Sequence, residues 1–122
     1  MGYIFCLIGK SSSGKDSIYQ KLLECPNLDI KNLITYTTRP MREGEIDGKE
    51  YYFVSNEDIE KIQEKSNIIE MRSYNTALGT WKYFTVENKE VSNTSNKFLL
   101  VGTIEVYVAL CNFYGKDKVF PL

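Results

Sequence analysis

The residues best suited to chemistry form a run of small side chains that ends in lysine, Gly9-Lys10-Ser11-Ser12-Ser13-Gly14-Lys15. This run fits the first seven positions of the phosphate-loop pattern GxxxxGK[ST]. Small residues let backbone N–H groups approach phosphate oxygens, a following helix directs its positive end at them, and the lysine neutralises their charge. The sequence therefore predicts a nucleoside triphosphate site formed by Gly9, Ser11, Ser12, Ser13, Gly14, Lys15, Asp16 and Ser17.

The eighth position of the pattern is unusual. Asp16 stands where serine or threonine normally offers a hydroxyl to Mg²⁺, and Ser17 follows it. Because Mg²⁺ favours oxygen ligands, we predict that Asp16 or Ser17 holds this cation together with ATP as co-substrate. The alternative is a serine-rich turn with an incidental lysine, and the strand before it and the helix after it favour the phosphate site.

A second candidate site lies in a polar segment further along the chain. Arg39 and Arg42 are three residues apart, and Tyr51 follows nine residues after Arg42. Guanidinium groups bind phosphate through paired hydrogen bonds, and a phenol hydroxyl can add one more. Composition alone favours a plain solvated loop, because several acidic residues balance these arginines.

The two ends of the chain predict a parallel core. Tyr3–Ile8 is a continuous apolar run, typical of a strand buried on both faces, and a helix is predicted over Lys15–Glu24. Phe98–Val101 has the same character and precedes a helix that ends at Tyr114, and Lys118–Leu122 begins another strand. A strand, a loop and a helix in this order indicate βαβ units.

The middle of the chain predicts a mixed insertion. A helix is expected over Asn56–Lys65, because Ser55 and Asp58 resemble a capping box. The remaining expected elements are strands at Leu33–Thr38, Tyr51–Val54, Asn67–Arg72 and Gly79–Val86, and polar loops at Arg39–Glu50 and Ser92–Asn96.

Composition limits the classes of function. The chain has 122 residues, a net charge of -1, and no histidine, so a single domain is expected and histidine-based triads or zinc sites are excluded. The near-neutral charge argues against nucleic-acid binding, and the apolar runs are too short to span a membrane. Three widely spaced cysteines, Cys6, Cys25 and Cys111, indicate free thiols in the cytoplasm.

The motif TTRPxRxGExxGxxYxFV, which follows the phosphate loop, resembles that of the guanylate kinase family. The resemblance implies an α/β fold of the P-loop nucleoside monophosphate kinase type, with a parallel core at 1–34 and 91–122 and a monophosphate-binding insertion at 35–90 in one domain of 1–122. It implies transfer of the ATP γ-phosphoryl group to GMP, giving GDP and ADP. The match covers the N-terminal part of a typical member. We therefore expect the lid and the closing helix to be missing and the transfer by these residues alone to be weak.

The resemblance also implies roles for individual residues. The family's catalytic and GMP-phosphate positions correspond to Lys15, Arg39, Arg42 and Tyr51. The positions that contact guanine correspond to Thr35, Glu70 and Thr80, and Gly79 corresponds to a further GMP-binding position. A carboxylate such as Glu70 suits guanine, because the base offers two adjacent donors, N1–H and the N2 amino group.

Besides the missing lid, two departures from the family pattern keep alternatives open. Leu78 replaces a tyrosine beside the GMP phosphate, and Gly102-Thr103 stands where an acidic residue is usual, with Glu105 as a distant substitute. One alternative is a catalytically inactive guanylate-kinase-like module that binds other proteins. Another is a different small-molecule kinase of the P-loop type.

The phosphate loop generates a direct prediction. Substitution Lys15→Ala should abolish measurable binding of nucleoside triphosphate and leave the fold intact, because a charge-assisted contact to the phosphates is lost. Calorimetric titration with ATP measures the effect, and circular dichroism checks the fold. Unchanged ATP affinity in the variant would contradict the assignment of this loop.

Overall fold

A computed structural model describes residues 2–8, 15–25, 29–49 and 51–122 of the chain, with the side chains of residues 15–17 not described. The chain divides into two compact units. One, called the core unit, consists of Met1–Leu33 and Asn88–Leu122, and the other, called the inserted unit, is Ile34–Glu87.

The core unit is built on a four-stranded parallel sheet. Its strands are β1 (Tyr3–Ile8), β2 (Ile30–Asn32), β7 (Lys97–Gly102) and β8 (Val119–Pro121), arranged in the order β2-β7-β1-β8. The central strands β1 and β7 carry several of the fully buried side chains, among them Ile4, Phe98 and Leu99. Their near-continuous apolar sequences fit a sheet that is covered on both faces. The parallel core expected from the sequence is confirmed.

Three helices belong to the core unit, namely α1 (Lys15–Glu24), α3 (Lys89–Asn93) and α4 (Ile104–Tyr114). The bounds of α1 and α4 match the prediction. Thr103 caps α4, because its hydroxyl accepts a hydrogen bond from the Val106 N–H at 3.4 Å. Helix α3 differs from the polar loop predicted at Ser92–Asn96. Asn88 caps this helix, because its side chain accepts a hydrogen bond from the Glu90 N–H.

The inserted unit is built on a mixed sheet and one helix. Its strands β3 (Tyr36–Thr37), β4 (Tyr52–Phe53), β5 (Ile68–Thr76) and β6 (Gly79–Val86) lie in the order β4-β3-β6-β5. Strands β5 and β6 form a long antiparallel hairpin, and β3 pairs antiparallel with β6 and parallel with β4. Helix α2 (Asn56–Lys65) begins at the capping box expected from Ser55 and Asp58.

The two faces of the inserted sheet differ in character. One face carries Phe84, which is fully buried, with the Tyr36 ring stacked on it at 5.2 Å between ring centroids. Tyr52 lies against Tyr36 at 4.9 Å on the same face. Because strand residues alternate between faces, the neighbouring positions Thr37 and Tyr83 point to the opposite face. This opposite face, called the polar face, also carries Thr85, Glu70 and Arg72.

Two expected strands differ from those observed. The strand predicted at Leu33–Thr38 is confirmed only at Tyr36–Thr37, which is β3, because the chain leaves the core sheet after β2 and enters the inserted sheet there. Leu33 still donates its N–H to the Leu99 carbonyl of the core sheet, and the pairing ends there. Strand β5 extends past Arg72 to Thr76, since the partner strand β6 supplies hydrogen bonds along its whole length. Within the described residues, no helix is long and apolar enough to cross a membrane.

Candidate nucleotide site

The polar face of the inserted sheet gathers most of the residues predicted for the monophosphate site. Sheet register places Thr37 beside Tyr83, Tyr83 beside Arg72, and Thr85 beside Glu70. Side chains at paired positions share one face of a sheet, so these groups lie together. A chain of side-chain contacts through Tyr51, Tyr83 and Arg72 joins the guanidinium of Arg39 to the carboxylate of Glu70 across this face.

Arg39 is buried, with 5% of its surface exposed, and is held by a carboxylate. Its Nη1 and Nη2 donate to Glu45 Oε1 and Oε2 at 3.0 and 2.8 Å, a two-point ion pair. Nη1 also donates to the Pro40 carbonyl at 3.2 Å. An arginine has five N–H donors, and these three bonds leave the Nε–H and one Nη2 hydrogen for a ligand.

Glu45 organises the loop that carries both candidate arginines. Besides the Arg39 fork, its Oε1 accepts the backbone N–H of Arg42 at 2.7 Å. These hydrogen bonds, first from Arg39 and then from Arg42, lower the pKa of Glu45 to about 2. The same pair raises the pKa of Arg39. The loop is therefore fixed by an ionised carboxylate at neutral pH.

Arg42 stands in contrast to Arg39. Its side chain is exposed, and in the part of the chain that the structure describes its guanidinium forms no ion pair. The backbone of Arg42 is nevertheless held through its N–H by Glu45. A fixed backbone that presents an exposed guanidinium is a suitable arrangement for binding a phosphate from solvent.

Tyr51 connects the arginine loop to the sheet. The Arg39 guanidinium carbon lies 5.6 Å from the centroids of both the Tyr51 and Phe53 rings. Tyr51 also packs edge-on against Tyr83 at 5.8 Å. Burial and the neighbouring Tyr83 raise the pKa of Tyr51, so its hydroxyl keeps its proton and can donate a hydrogen bond. Asp47 steadies this strand by accepting the Phe53 N–H at 2.8 Å.

Glu70 lies at the other end of the contact chain. Its side chain is 10% exposed, Oε1 accepts from the Thr85 hydroxyl at 2.9 Å, and Oε2 accepts from Arg72 Nε at 3.1 Å. A carboxylate has about four acceptor positions, so further donors can still bind. The guanidinium of Arg72 also lies 5.8 Å from the Tyr83 ring, which completes the path from Arg39 through Tyr51 to Glu70.

The structure places three other residues predicted for the site, Thr35, Gly79 and Thr80. Thr35 is engaged by a backbone hydrogen bond, and Gly79 and Thr80 lie far from Glu70 along the hairpin. The Thr35 carbonyl accepts the Tyr52 N–H at 2.9 Å. Gly79 has φ +122°, and it begins β6 directly after the two-residue turn that contains Leu78. Thr80 pairs with Asn75 and donates to its Oδ1 at 2.9 Å. The hairpin therefore places Thr80 at its tip and Glu70 at its base.

The expected triphosphate loop, Gly9 to Gly14, lies outside the described residues, and so do the side chains of Lys15, Asp16 and Ser17. The elements on either side are described. Strand β1 ends at Ile8 and α1 begins at Lys15, so the loop connects the carboxyl end of a central parallel strand to a helix. Ile8 pairs with Gly102, which places the Gly102-Thr103 step beside that strand end.

Four residues of the site are not predicted by the sequence. Glu45 is recognisable there only as a charge that balances the arginines, and no local motif marks Arg72, Tyr83 or Thr85. The detectable signal was alternation, because Glu70, Arg72 and Tyr74 occupy every second position of one strand and therefore share a face.

The depressed pKa of Glu45 predicts a pH-dependent contribution to stability. A carboxylate with a folded pKa of about 2, below its ordinary value of 4.5, stabilises the fold above pH 4.5 and loses this effect as the pH falls toward 2. Substitution Glu45→Gln should therefore lower the unfolding free energy at pH 7 by about 1–3 kcal/mol. The difference from the parent should shrink steadily below about pH 4.5.

Urea denaturation between pH 3 and pH 7 measures this difference. Glu43→Gln is the matched control, because Glu43 lies two residues away and is exposed. A Glu45→Gln deficit that is the same at every pH would show that the carboxylate charge is not what stabilises the loop.

A family profile and individual relatives of known name indicate the same protein family for this chain. The guanylate kinase family profile matches residues 2–101. A guanylate kinase of Caldanaerobacter subterraneus is 37% identical over 93 residues, covering 75% of this chain and 45% of the relative. A guanylate kinase of Baumannia cicadellinicola is 38% identical over 123 residues, covering 98% of this chain and 54% of the relative.

A solved structure agrees with these matches. The crystal structure of guanylate kinase from Anaplasma phagocytophilum resembles this chain with a TM-score of 0.72 at 25% identity, covering 98% of this chain and 57% of that one. The chain spans about half the length of these relatives. Since the family profile covers most of its residues and the expected phosphate-loop kinase fold is confirmed, the chain belongs to the guanylate kinase family.

Proposed function

We propose that this protein binds GMP on the polar face of the inserted unit and serves in transfer of the ATP γ-phosphoryl group to GMP. The observation that carries the proposal is the continuous set of contacts from Arg39 and Tyr51 through Tyr83 to Arg72 and Glu70. One end of this set is suited to a phosphate and the other to a purine with adjacent donors.

Charge distribution supports the phosphate end. Arg42 offers an exposed guanidinium, and Arg39 retains two N–H donors after its bonds to Glu45 and Pro40. The Tyr51 hydroxyl keeps its proton and adds a neutral donor. Because Glu45 offsets much of the Arg39 charge, we assign the main ionic contact with the GMP phosphate to Arg42.

The carboxylate of Glu70 supports the guanine end. It is nearly buried and is fixed on both oxygens by Thr85 and Arg72. A fixed carboxylate matches guanine N1–H and the N2 amino group, whereas adenine presents an acceptor at N1. We assign base selection to Glu70, together with Thr35, which directly precedes strand β3 of the same sheet. For Gly79 and Thr80, the position at the hairpin tip argues against contact with the same base.

The triphosphate end of the reaction is assigned to the loop from Gly9 to Ser17. Its sequence pattern and its place between β1 and α1 support ATP binding, with Lys15 as the catalytic cation. Asp16 and Ser17 offer carboxylate and hydroxyl oxygens, which fit Mg²⁺. When bound, this ion would neutralise charge on the phosphates.

The proposed partners are nucleotides alone, and the proposed location is the cytoplasm. Cys6 and Cys111 are buried free thiols, and Cys25 is also free. Burial raises the pKa of Cys6 to about 11, so the thiol stays protonated and unreactive. Unpaired cysteines of this kind are typical of a reducing compartment.

The assignment of Arg42 predicts a phosphate-specific loss. Substitution Arg42→Ala should weaken GMP binding by about 1.5–3 kcal/mol, the scale of a hydrogen bond to a charged group. Guanosine, which lacks the phosphate, should bind the parent and the variant equally. Calorimetric titration of both ligands measures the difference.

Lys49→Ala is a control that removes a positive charge from the same exposed segment. It should change GMP affinity little. Equal losses for GMP and guanosine in Arg42→Ala would remove Arg42 from the phosphate site. An absence of GMP binding by the parent would instead favour a module that binds other proteins.

The assignment of Glu70 predicts a change in base preference. In Glu70→Gln the amide offers one acceptor where the carboxylate offered two, so one guanine donor loses its partner. The ratio of GMP to AMP affinity should fall by about 10-fold or more. Titration of the parent and the variant with both nucleotides measures the ratio.

Glu60→Gln is the matched control, because Glu60 is an exposed carboxylate on helix α2 of the same unit and the substitution removes the same charge. Its ratio should equal that of the parent. If Glu70→Gln also leaves the ratio unchanged, the base is selected by other residues.

A further inference from the structure

The proposed contact between Glu70 and guanine leaves one group of the base without a partner. Glu70 can accept from N1–H and the N2 amino group, but guanine also carries the acceptor O6 beside N1. A buried acceptor with no donor costs free energy, so a selective site should supply a donor next to Glu70. The structure limits the candidates for this donor.

Thr80 cannot supply it to the base that Glu70 contacts. Glu70 pairs with Thr85, which lies five residues from Thr80 on β6, a span of about 17 Å at the rise of an antiparallel strand. The Thr80 hydroxyl moreover donates to Asn75 Oδ1 at 2.9 Å.

Thr85 cannot supply it either, although it touches Glu70. A threonine hydroxyl has a single hydrogen. Thr85 donates that hydrogen to Glu70 Oε1 at 2.9 Å, and only 1% of the residue is exposed. Among the hairpin residues, the donor is therefore expected on the other side of the carboxylate, next to Oε2.

Arg72 occupies that side. Its Nε donates to Glu70 Oε2 at 3.1 Å, which leaves the N–H groups of the two terminal nitrogens for other acceptors, the Tyr74 hydroxyl among them. The side chain is 22% exposed, so a ligand can reach it. Burial opposes its charge, but the Glu70 charge and hydrogen bond raise the pKa of Arg72 overall, and the guanidinium is a permanent donor.

We propose that Arg72 determines base specificity by donating a hydrogen bond to guanine O6. This inference rests on the proposed GMP site. The base is then oriented with N1–H on Glu70 Oε2, the N2 amino group on Oε1, and O6 on a terminal nitrogen of Arg72. Adenine fits neither residue in this orientation, because its amino group would face the guanidinium and its N1 acceptor would face the carboxylate.

Two affinity ratios separate this role from simple positioning of Glu70. The first compares GMP with 6-thio-GMP, whose sulfur is a weak acceptor at position 6. The second compares GMP with IMP, which keeps O6 and N1–H but lacks the N2 amino group that Glu70 holds. The variant is Arg72→Met, which keeps the apolar part of the side chain without its donors.

We expect Arg72→Met to weaken GMP binding by about 10- to 100-fold, as for a lost hydrogen bond to a charged group. The ratio of GMP to 6-thio-GMP affinity should fall toward one, and the ratio of GMP to IMP affinity should stay as in the parent. Lys82→Met is the matched control, because Lys82 is a half-buried cation on the other face of the same hairpin and should change neither ratio.

The opposite pattern would overturn the proposal. If Arg72 only positions Glu70, the GMP to IMP ratio falls and the GMP to 6-thio-GMP ratio is unchanged. Arg72→Lys guards against a folding defect, because it retains the charge, and it should show a partial fall in the thio ratio with an unchanged melting temperature. A parent that does not bind GMP would contradict the proposed function, whereas a parent that binds GMP with unmoved ratios in both variants would contradict only the role of Arg72.

Discussion

The register between β5 and β6 is the constraint on which the candidate site depends. This pairing sets Glu70 beside Thr85 and Arg72 beside Tyr83. A shift of the register by one residue would move every side chain of one strand to the opposite face and would separate these pairs. The apolar face resists such a shift, because Phe84 is fully buried beneath the Tyr36 ring. Packing on one face of the sheet therefore fixes the polar groups on the other.

Charge compensation explains how this face can hold two arginines. Arg39 and Arg72 are each paired with one carboxylate, Glu45 and Glu70 respectively. A buried guanidinium group without a carboxylate partner would lose its hydration, and no ion pair would compensate for that loss. Pairing also fixes the planes of both guanidinium groups, so the N–H donors that remain have defined directions. Arg42 needs no such partner, because its side chain is exposed to solvent.

Much of this arrangement could be predicted from the sequence, and the failures have physical causes. Strand β1 and helices α1, α2 and α4 followed from apolar runs and capping residues, which are local signals. The break between β2 and β3 could not be predicted, because Leu33–Thr38 consists of strand-forming residues throughout and shows no local sign of a change of sheet. Arg39, Tyr51 and Glu70 were suggested by a motif, whereas Arg72 acquires its place only through strand pairing across the hairpin.

The proposed GMP contacts of the inserted unit would affect the affinity for GMP more than the rate of phosphoryl transfer. Groups that hold the GMP phosphate and base equally in the ground state and the transition state lower the ligand concentration required but do not accelerate transfer. A catalytic kinase and an inactive binding module could therefore share every contact on the polar face. What distinguishes them is charge placed where the moving phosphoryl group passes, a role that we propose for Lys15 and the oxygens of Asp16 or Ser17. The presence of a guanine site is thus weaker evidence for catalysis than a competent phosphate loop, and the acidic Asp16 is the residue on which the distinction depends most.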